Sequence, residues 1–298
     1  MTNRDVFSGC HPAVNFLYFA LVILFSMCWM HPVCLALSLL CAVCYNVSLR
    51  GWRALRFQLV FSLPMALMAT AVNALFNHRG VTILAYLPSG NPLTLESLLY
   101  GVAAAGMLCA VVTWFGCWNA VMTSDKLLYL FGKGAPALSL LLSMALGFVP
   151  RFRRQLRAVA QAQRCIGRGP GEGTLAQRFH SAVTILSVML TWSLERSIIT
   201  ADSMRSRGYG LPGRTAYSLY RFDSRDGGLL VWPLGCGFFL LSGWAAGEFR
   251  WRYFPALTPP EVTPMTTRLF AVYLALCLTP LILRGKEALT WRRLHCAM

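Results

Sequence analysis

Two short stretches of the chain place arginines beside small residues, each at the end of a long helical pattern. The first stretch reads RCIGRG over 164–169, and the second reads RSRGYG over 205–210. A guanidinium is planar and carries its donors in a fixed fork, so it binds a carboxylate through two parallel hydrogen bonds. Small neighbours let another backbone approach closely. The pattern therefore indicates two docking points for acidic surfaces of partner proteins.

A second interpretation of these stretches is that they end basic helices lying on anionic lipid. Arginines in a last helical turn also interact favourably with the helix dipole. This interpretation explains the charge, but it does not explain why Gly167, Ser206 and Gly208 stand beside Arg168 and Arg207. From the residues alone, docking to protein and binding to lipid both stay open.

Two helical patterns must position these arginines. Residues 136–168 are first apolar and then basic, with Pro150 between the two halves, which predicts a bent helix or two helices. The second pattern begins at Thr174, a predicted N-cap, and continues to about Arg207 with the apolar spacing of an amphipathic helix. Glycines follow both patterns and predict where each helix ends.

The composition predicts an all-α integral membrane protein. Of 298 residues, 56% are hydrophobic and 13% are charged, whereas a soluble domain carries about 25% charged residues. Several apolar runs approach the roughly 20 residues that cross a bilayer as a helix. We expect six spans, near Ala13–Trp29, Val33–Leu49, Phe57–Phe76, Leu98–Met122, Leu229–Ala246 and Pro264–Leu283.

The distribution of positive charge predicts the orientation of the chain. With the N-terminus inside, 23 Lys and Arg residues lie on the cytoplasmic side and 4 lie outside, as the positive-inside rule requires. The chain then divides into N-terminal transmembrane helices 1–4 (1–124), a cytoplasmic region with the two long helical patterns (125–226), and two C-terminal transmembrane helices with a basic tail (227–298). The net charge of +16 is explained by cytoplasmic loops, and we expect no nucleic-acid partner.

The outer loop 77–97 contains the turn dipeptides Ser89–Gly90 and Asn91–Pro92. Thr94, followed by an acidic residue and a serine, is the predicted start of the fourth span.

Clusters of residues that would support catalysis or metal binding are not found in the sequence. The CxxC pair Cys41 and Cys44 lies inside a predicted span and has no second pair to complete a zinc site. No GxxxxGK[ST] motif is present, so we expect that the chain does not hydrolyse ATP. No two of the five histidines show helical ligand spacing, and we predict no catalytic, cofactor or metal site. The five are His11, His31, His78, His180 and His295.

Four stretches resemble the T component of energy-coupling factor (ECF) transporters, the transmembrane scaffold of an ABC system that imports vitamins and metal ions. They are MTSDKLLYLF (122–131), MALGFVPRF (144–152), AVAQAQRCIGRG (158–169) and ERSIITADSMRSRGYG (195–210). The last is the most specific, and the resemblance covers nearly the whole chain.

The resemblance implies the partners of the chain. Each of two coupling helices is expected to seat an arginine in a groove of one of two cytosolic ABC-type ATPase subunits. The helices are also expected to support a separate substrate-binding membrane subunit, the S component. ATP and Mg would be bound by the ATPases, and this chain would bind no cofactor. The resemblance further implies a multi-pass protein of a bacterial or archaeal cell membrane, in contact with lipid, whose S component selects the vitamin or metal ion, such as cobalt.

At the second coupling helix, the resemblance assigns the arginine role to Arg207, flanked by Ser206 and Gly208. Ser206 replaces the alanine that is common in the family. Arg205 is a secondary candidate.

At the first coupling helix, two alignments are possible. An ungapped comparison places Ile166–Gly167 where Arg-Gly is expected, whereas a two-residue insertion places Arg168 and Gly169 there. We favour Arg168 because the contact needs a guanidinium, with Arg164 as a secondary candidate.

An apolar face of the coupling helices contains Met144, Leu186, Met189 and Leu190. Such a face either packs between the two helices or adapts to different S components. Two alternative functions stay open: a conventional ABC permease subunit, and a basic amphipathic structural protein of the membrane surface.

Overall fold

The fold is almost entirely helical. The computed structural model describes residues 6–86, 92–132, 135–169, 171, 173–212, 220–249, 251–258 and 263–296. After a short 3-10 turn (Phe7–Gly9), the helices are α1 (Pro12–Cys28), α2 (Pro32–Arg50), α3 (Trp52–Phe76), α4 (Leu95–Val121), α5 (Ser124–Gly132), α6 (Pro136–Cys165), α7 (Leu175–Ser206), α8 (Ser224–Ala245) and α9 (Pro264–Cys296). Six helices in the described part are long and apolar enough to cross a membrane. The prediction of an all-α integral membrane protein is confirmed.

The helices belong to two compact units. The first unit comprises residues 1–127 and 220–298, and the second comprises residues 128–219. Helices α1–α4, α8 and α9 lie in the first unit, and α6 and α7 lie in the second. The division into a membrane part and a cytoplasmic part at 124/125 and 226/227 stays a prediction.

Each of the six predicted spans coincides with a helix. The six helices that satisfy the length and hydropathy of a span differ from these by one, because α7 is among them and α1 is not. Helix α7, with 32 residues and a mean hydropathy of 1.4 in its most apolar window, satisfies both. Helix α1 has 17 residues and is shorter than the other candidates. Since about 17–25 residues can cross a bilayer, composition alone does not decide between α1 and α7. The cytoplasmic location of α7 stays a prediction.

Aromatic side chains form the core of the first unit. Trp114 of α4 is fully buried, and its indole N–H donates to Ser38 Oγ of α2 at 3.0 Å. The Tyr18 hydroxyl of α1 donates to the carbonyl of Cys277 in α9 at 3.2 Å. Burial of these large rings, with their polar atoms paired, stabilises the contact among these four helices.

The segment before α1 forms hydrogen bonds with the residues near which the chain leaves the first unit and returns to it. Lys126, which is buried, donates through Nζ to the carbonyls of Ser8 and, at 2.9 Å, Val121. The backbone N–H of His11 donates to Asp226 Oδ1 at 3.3 Å. The departing segment and the returning segment are therefore fixed to the same few residues.

The predicted outer loop contains a small hairpin that the sequence pattern did not indicate. Strand β1 (Ile83–Tyr86) pairs antiparallel with β2 (Pro92–Thr94). The dipeptide Ser89–Gly90 and residue Asn91 lie outside the described residues. Thr94 is the N-cap of α4, and its hydroxyl accepts from the N–H of Ser97 at 3.4 Å. The prediction that the fourth long helix begins at Thr94 is confirmed.

Candidate functional site

Helix α6 is continuous through its proline. It contains 30 residues, which corresponds to a length of about 45 Å at ~1.5 Å per residue. Pro150 has no N–H to donate to the preceding turn, but the helix continues through it. The side chain of Arg154 donates to the Pro150 carbonyl at 3.3 Å. Of the two predicted forms, a single helix is therefore observed.

Helix α7 begins at the predicted cap. The N–H of Thr174 donates to Gln177 Oε1 at 2.9 Å, which is half of a capping box. The helix then runs for 32 residues, about 48 Å. The prediction of Thr174 as the N-cap is confirmed.

Helices α6 and α7 pack against each other within the second unit. Ser181, Ile185 and Met189 are buried on one face of α7, because residues four apart share a face of a helix. Phe148 of α6 contacts Trp192 of α7, with ring centroids 5.7 Å apart.

The predicted apolar face of this helix pair divides into two groups. Met189 is 1% exposed and belongs to the packed core. Met144, Leu186 and Leu190 are 39%, 57% and 57% exposed. Each of these three exposed side chains can be covered by a membrane or a partner protein, and Leu186 and Leu190 share one face of α7.

The end of α6, called here the α6 tip (163–169), is closed by a Schellman motif. Gly167 has a φ of 71°, in the left-handed region that favours glycine. Its N–H donates to the Arg164 carbonyl at 3.0 Å, and the N–H of Arg168 donates to the Gln163 carbonyl at 2.9 Å. These two bonds are the 5→2 and 6→1 bonds of the motif.

The end of α7, called here the α7 tip (204–210), has the same geometry. Gly208 has a φ of 79°. Its N–H donates to the Arg205 carbonyl at 3.0 Å, and the N–H of Tyr209 donates to the Met204 carbonyl at 3.0 Å. The residues before the two glycines also agree, with φ and ψ of −98° and 15° at Ile166 and −86° and 8° at Arg207.

The shared motif establishes which residues of the two tips are equivalent. The ungapped alignment is the one that the backbone follows, and Gly167 is the equivalent of Gly208. Gly169, in contrast, is buried and lies after the motif. The equivalent pairs are Arg164 with Arg205, Cys165 with Ser206, Ile166 with Arg207, and Arg168 with Tyr209.

The arginines predicted at both tips are exposed: Arg164, Arg168, Arg205 and Arg207. The second unit contains twelve basic and three acidic residues, so its tips face any partner with excess positive charge. The hydroxyl of Ser206 donates to the Ser203 carbonyl at 2.9 Å, and it therefore stays on its own helix. Since α6 ends just before α7 starts, the tips are separated by about the 48 Å length of α7.

Among the residues that the structure describes, no group of three or more His, Cys, Asp or Glu side chains could hold a metal ion. What the tips can do chemically is bind anions through exposed guanidinium groups and present glycine backbone to a neighbouring chain.

Comparison with known proteins gives one consistent result. The chain is 37% identical over 95 residues to the energy-coupling factor transporter transmembrane protein EcfT of Lactococcus lactis, which is 32% of this chain and 36% of the relative. It is 29% identical over 140 residues to EcfT of Streptococcus thermophilus (47% and 53%) and 32% identical over 123 residues to EcfT of Streptococcus equi (41% and 46%). The predicted resemblance to the ECF T component is confirmed. No protein-family profile matches the chain.

The chain thus spans between about a third and a half of the length of these EcfT relatives. The similarity to EcfT and the six apolar helices support a multi-pass membrane protein that is a component of a transporter. Of the residues predicted at the two tips, Gly169 is buried, Gly208 is half-buried and the others are exposed. The ungapped comparison had placed Ile166–Gly167 at this tip, and only the preference for a guanidinium favoured Arg168.

Proposed function

We propose that this chain is the transmembrane scaffold of an ECF-type ABC importer. In this proposal it couples ATP hydrolysis by two cytosolic ATPases to the movement of a substrate-binding S component. One observation carries the proposal: two helix ends with the same Schellman geometry are held about 48 Å apart by α7. Such a spacing suits two separate docking sites better than a single one, and the relatives named EcfT favour ATPases as the occupants.

At the α7 tip, Arg207 is the docking residue. Its exposed guanidinium follows the last turn of α7, and Gly208 after it carries no side chain that would hinder a close approach. A groove lined by carboxylates accepts the guanidinium through paired hydrogen bonds. Ser206 keeps the preceding position small and turned back on the helix, and Arg205 adds positive charge one turn before the glycine.

At the α6 tip, the stretch from Arg164 to Gly169 docks to the second ATPase. Arg168 is the guanidinium that the resemblance favours, and Arg164 is the alternative. Both side chains are exposed.

The coupling is mechanical. When the ATPases close on ATP and Mg, both of which they bind themselves, they displace the two tips. Helices α6 and α7 transmit this displacement, because they are packed along the Ser181–Met189 face and through Phe148 and Trp192. The exposed apolar residues Leu186 and Leu190 then carry the S component, which releases a vitamin or a metal ion inside the cell.

This proposal places both termini and the α6–α7 pair on the cytoplasmic side of the cell membrane of a bacterium or archaeon. The support is the excess of Lys and Arg that this orientation puts inside. The identity of the transported compound is set by the S component.

The test is purification of the tagged chain in mild detergent from its native host, followed by identification and stoichiometry of what co-purifies. We expect two ATPase subunits and one further small membrane protein per chain, and nucleotide hydrolysis by the complex. A conventional permease would retain ATPases and bind substrate without a further membrane subunit. A structural protein of the membrane surface would retain lipid and no ATPase, which would refute the proposal.

A further inference from the structure

We propose that the α6 tip docks through the apolar side chain of Ile166, with Arg164 as its cation, onto an ATPase surface that pairs an apolar pocket with a carboxylate. The two tips would then bind chemically different surfaces. This inference depends on the proposed function, because the occupant of the tip is one of the ATPase subunits.

The backbone is the first argument. The two tips have the same hydrogen bonds and left-handed glycines with φ of 71° and 79°, so equivalent positions present side chains in the same direction relative to the helix axis. The residue that precedes the glycine is Arg207 in the α7 tip and Ile166 in the α6 tip. If Arg207 is the residue that enters a partner, the geometry assigns the same place to Ile166.

The exposure of Ile166 is the second argument. Its side chain is 64% exposed at the end of a helix, flanked by Cys165 and Gly167. A Cβ built on Gly167 meets nothing within 4 Å. The described residues thus leave open space beside the isoleucine, and a partner can cover it at close range. A branched apolar side chain there gains free energy only when it is removed from water, and a carboxylate groove would not provide that gain.

The position of Arg168 is the third argument. Arg168 is equivalent to Tyr209, one residue after the left-handed glycine. In Schellman motifs an apolar side chain at this position commonly contacts the last turn of its own helix. Arg168 therefore occupies the place of a capping residue and not the place of Arg207.

The charge of the tip is the fourth argument. Arg164 and Arg205 occupy the same position, both side chains are exposed, and both precede the glycine by three residues. The α6 tip therefore keeps one cation for a carboxylate at the edge of the apolar pocket. The α7 tip has the same cation plus a second one in Arg207.

The experiment uses the full chain in detergent and the purified ATPases that co-purify with the native protein. Dissociation constants are measured for the native chain and for Ile166→Asn, Ile166→Leu, Ile166→Arg, Arg164→Ala and Arg168→Ala. Loss of the buried isoleucine side chain is expected to weaken ATPase binding by about ten- to a hundredfold in Ile166→Asn. We expect Ile166→Leu to bind within about threefold of the native chain, because its apolar volume is conserved. Arg164→Ala weakens binding, whereas Arg168→Ala changes it less than about twofold.

Each other outcome contradicts the inference. Tighter binding by Ile166→Arg would show that the groove is acidic. Loss of binding in Arg168→Ala but not in Ile166→Asn would return the role to Arg168. Equal binding by the native chain and Ile166→Asn would leave Ile166 as a residue that faces lipid. Failure of the native chain to bind any ATPase would instead refute the proposed function. Because Ile166 is exposed, the variants are expected to elute from gel filtration like the native chain, which controls for misfolding.

Discussion

The substitution Gly208→Ala tests whether the geometry of the α7 tip matters. Gly208 has a φ of 79°, and a side chain in that region costs about 1–2 kcal/mol. The new Cβ would lie 3.2 Å from Leu211 Cδ1, and this exposed leucine can turn away, so the backbone conformation is the main cost. A loss of about 1–2 kcal/mol lowers the equilibrium constant for the docking geometry by about five- to thirtyfold. The dissociation constant for the ATPase is expected to rise by up to the same factor.

The matched control is Gly147→Ala on the adjacent helix. Gly147 lies in the interior of α6, is exposed, and a Cβ added there would meet nothing within 4 Å. Alanine stabilises a helix interior by about 0.5–1 kcal/mol relative to glycine, so this variant should bind the ATPase as the native chain does. Both affinities are measured by biolayer interferometry with the chain immobilised in detergent. Native affinity in Gly208→Ala would refute the idea that the ATPase recognises the Schellman end of α7.

Three further predictions concern stability and sidedness. The carboxylate of Asp226 accepts a hydrogen bond from the N–H of His11, and Asp226→Asn replaces one carboxylate oxygen with an NH₂ group that cannot accept. The free energy of unfolding should fall by about 1–3 kcal/mol, which is measured as a lower thermal midpoint. Burial lowers the pKa of His31, whose neutral ring accepts a hydrogen bond from the N–H of Val33. The free energy of unfolding should therefore be greatest above about pH 6.5 and fall as the pH decreases from there toward the lowered pKa. His31→Asn should remove this pH dependence. Exposed Cys165 should react with an impermeant maleimide in inside-out vesicles and not in right-side-out vesicles; the opposite result would reverse the proposed orientation.

The membrane helices were predictable because their signal is local. The run that begins at Pro264 and the run that begins at Pro32 are apolar over the length that a bilayer requires, and Thr94 and Thr174 mark helix starts through their own side chains. None of these features depends on a distant part of the chain. Helix α7 is the case that this local signal does not resolve, since its length and hydropathy also suit a span. An amphipathic helix with a wide apolar face has nearly the same composition as a membrane helix.

Features that depend on distant contacts could not be read from the sequence. The buried position of Lys126 requires the carbonyl of Ser8, which is 118 residues away. The β1–β2 hairpin depends on pairing across the outer loop. In each case the partner is chosen by the folded chain, and no local spacing indicates it.

The helix end that carries the α7 tip was predicted from spacing, and at the α6 tip the ungapped spacing also agrees with the backbone. Preference for a guanidinium favoured Arg168, but the backbone places Gly167, and not Gly169, in the left-handed conformation. The capping geometry depends on φ at a single residue, and the two glycines look alike in the sequence. Which residue of this tip contacts a partner stays a prediction for the affinity measurements.

The central claim is that one guanidinium at the end of α7 holds an ATPase. The most direct measurement compares ATPase binding by the native chain, Arg207→Ala and Arg153→Ala, where Arg153 is an exposed arginine of α6 outside both tips. Removing one member of a buried charge pair costs about 2–5 kcal/mol, so Arg207→Ala should weaken binding of the ATPase at the α7 tip at least about thirtyfold and abolish the co-purification of that ATPase. Arg153→Ala should bind within about twofold of the native chain. Equal losses in the two variants would show that positive charge in general, and not a docked arginine, retains the ATPase.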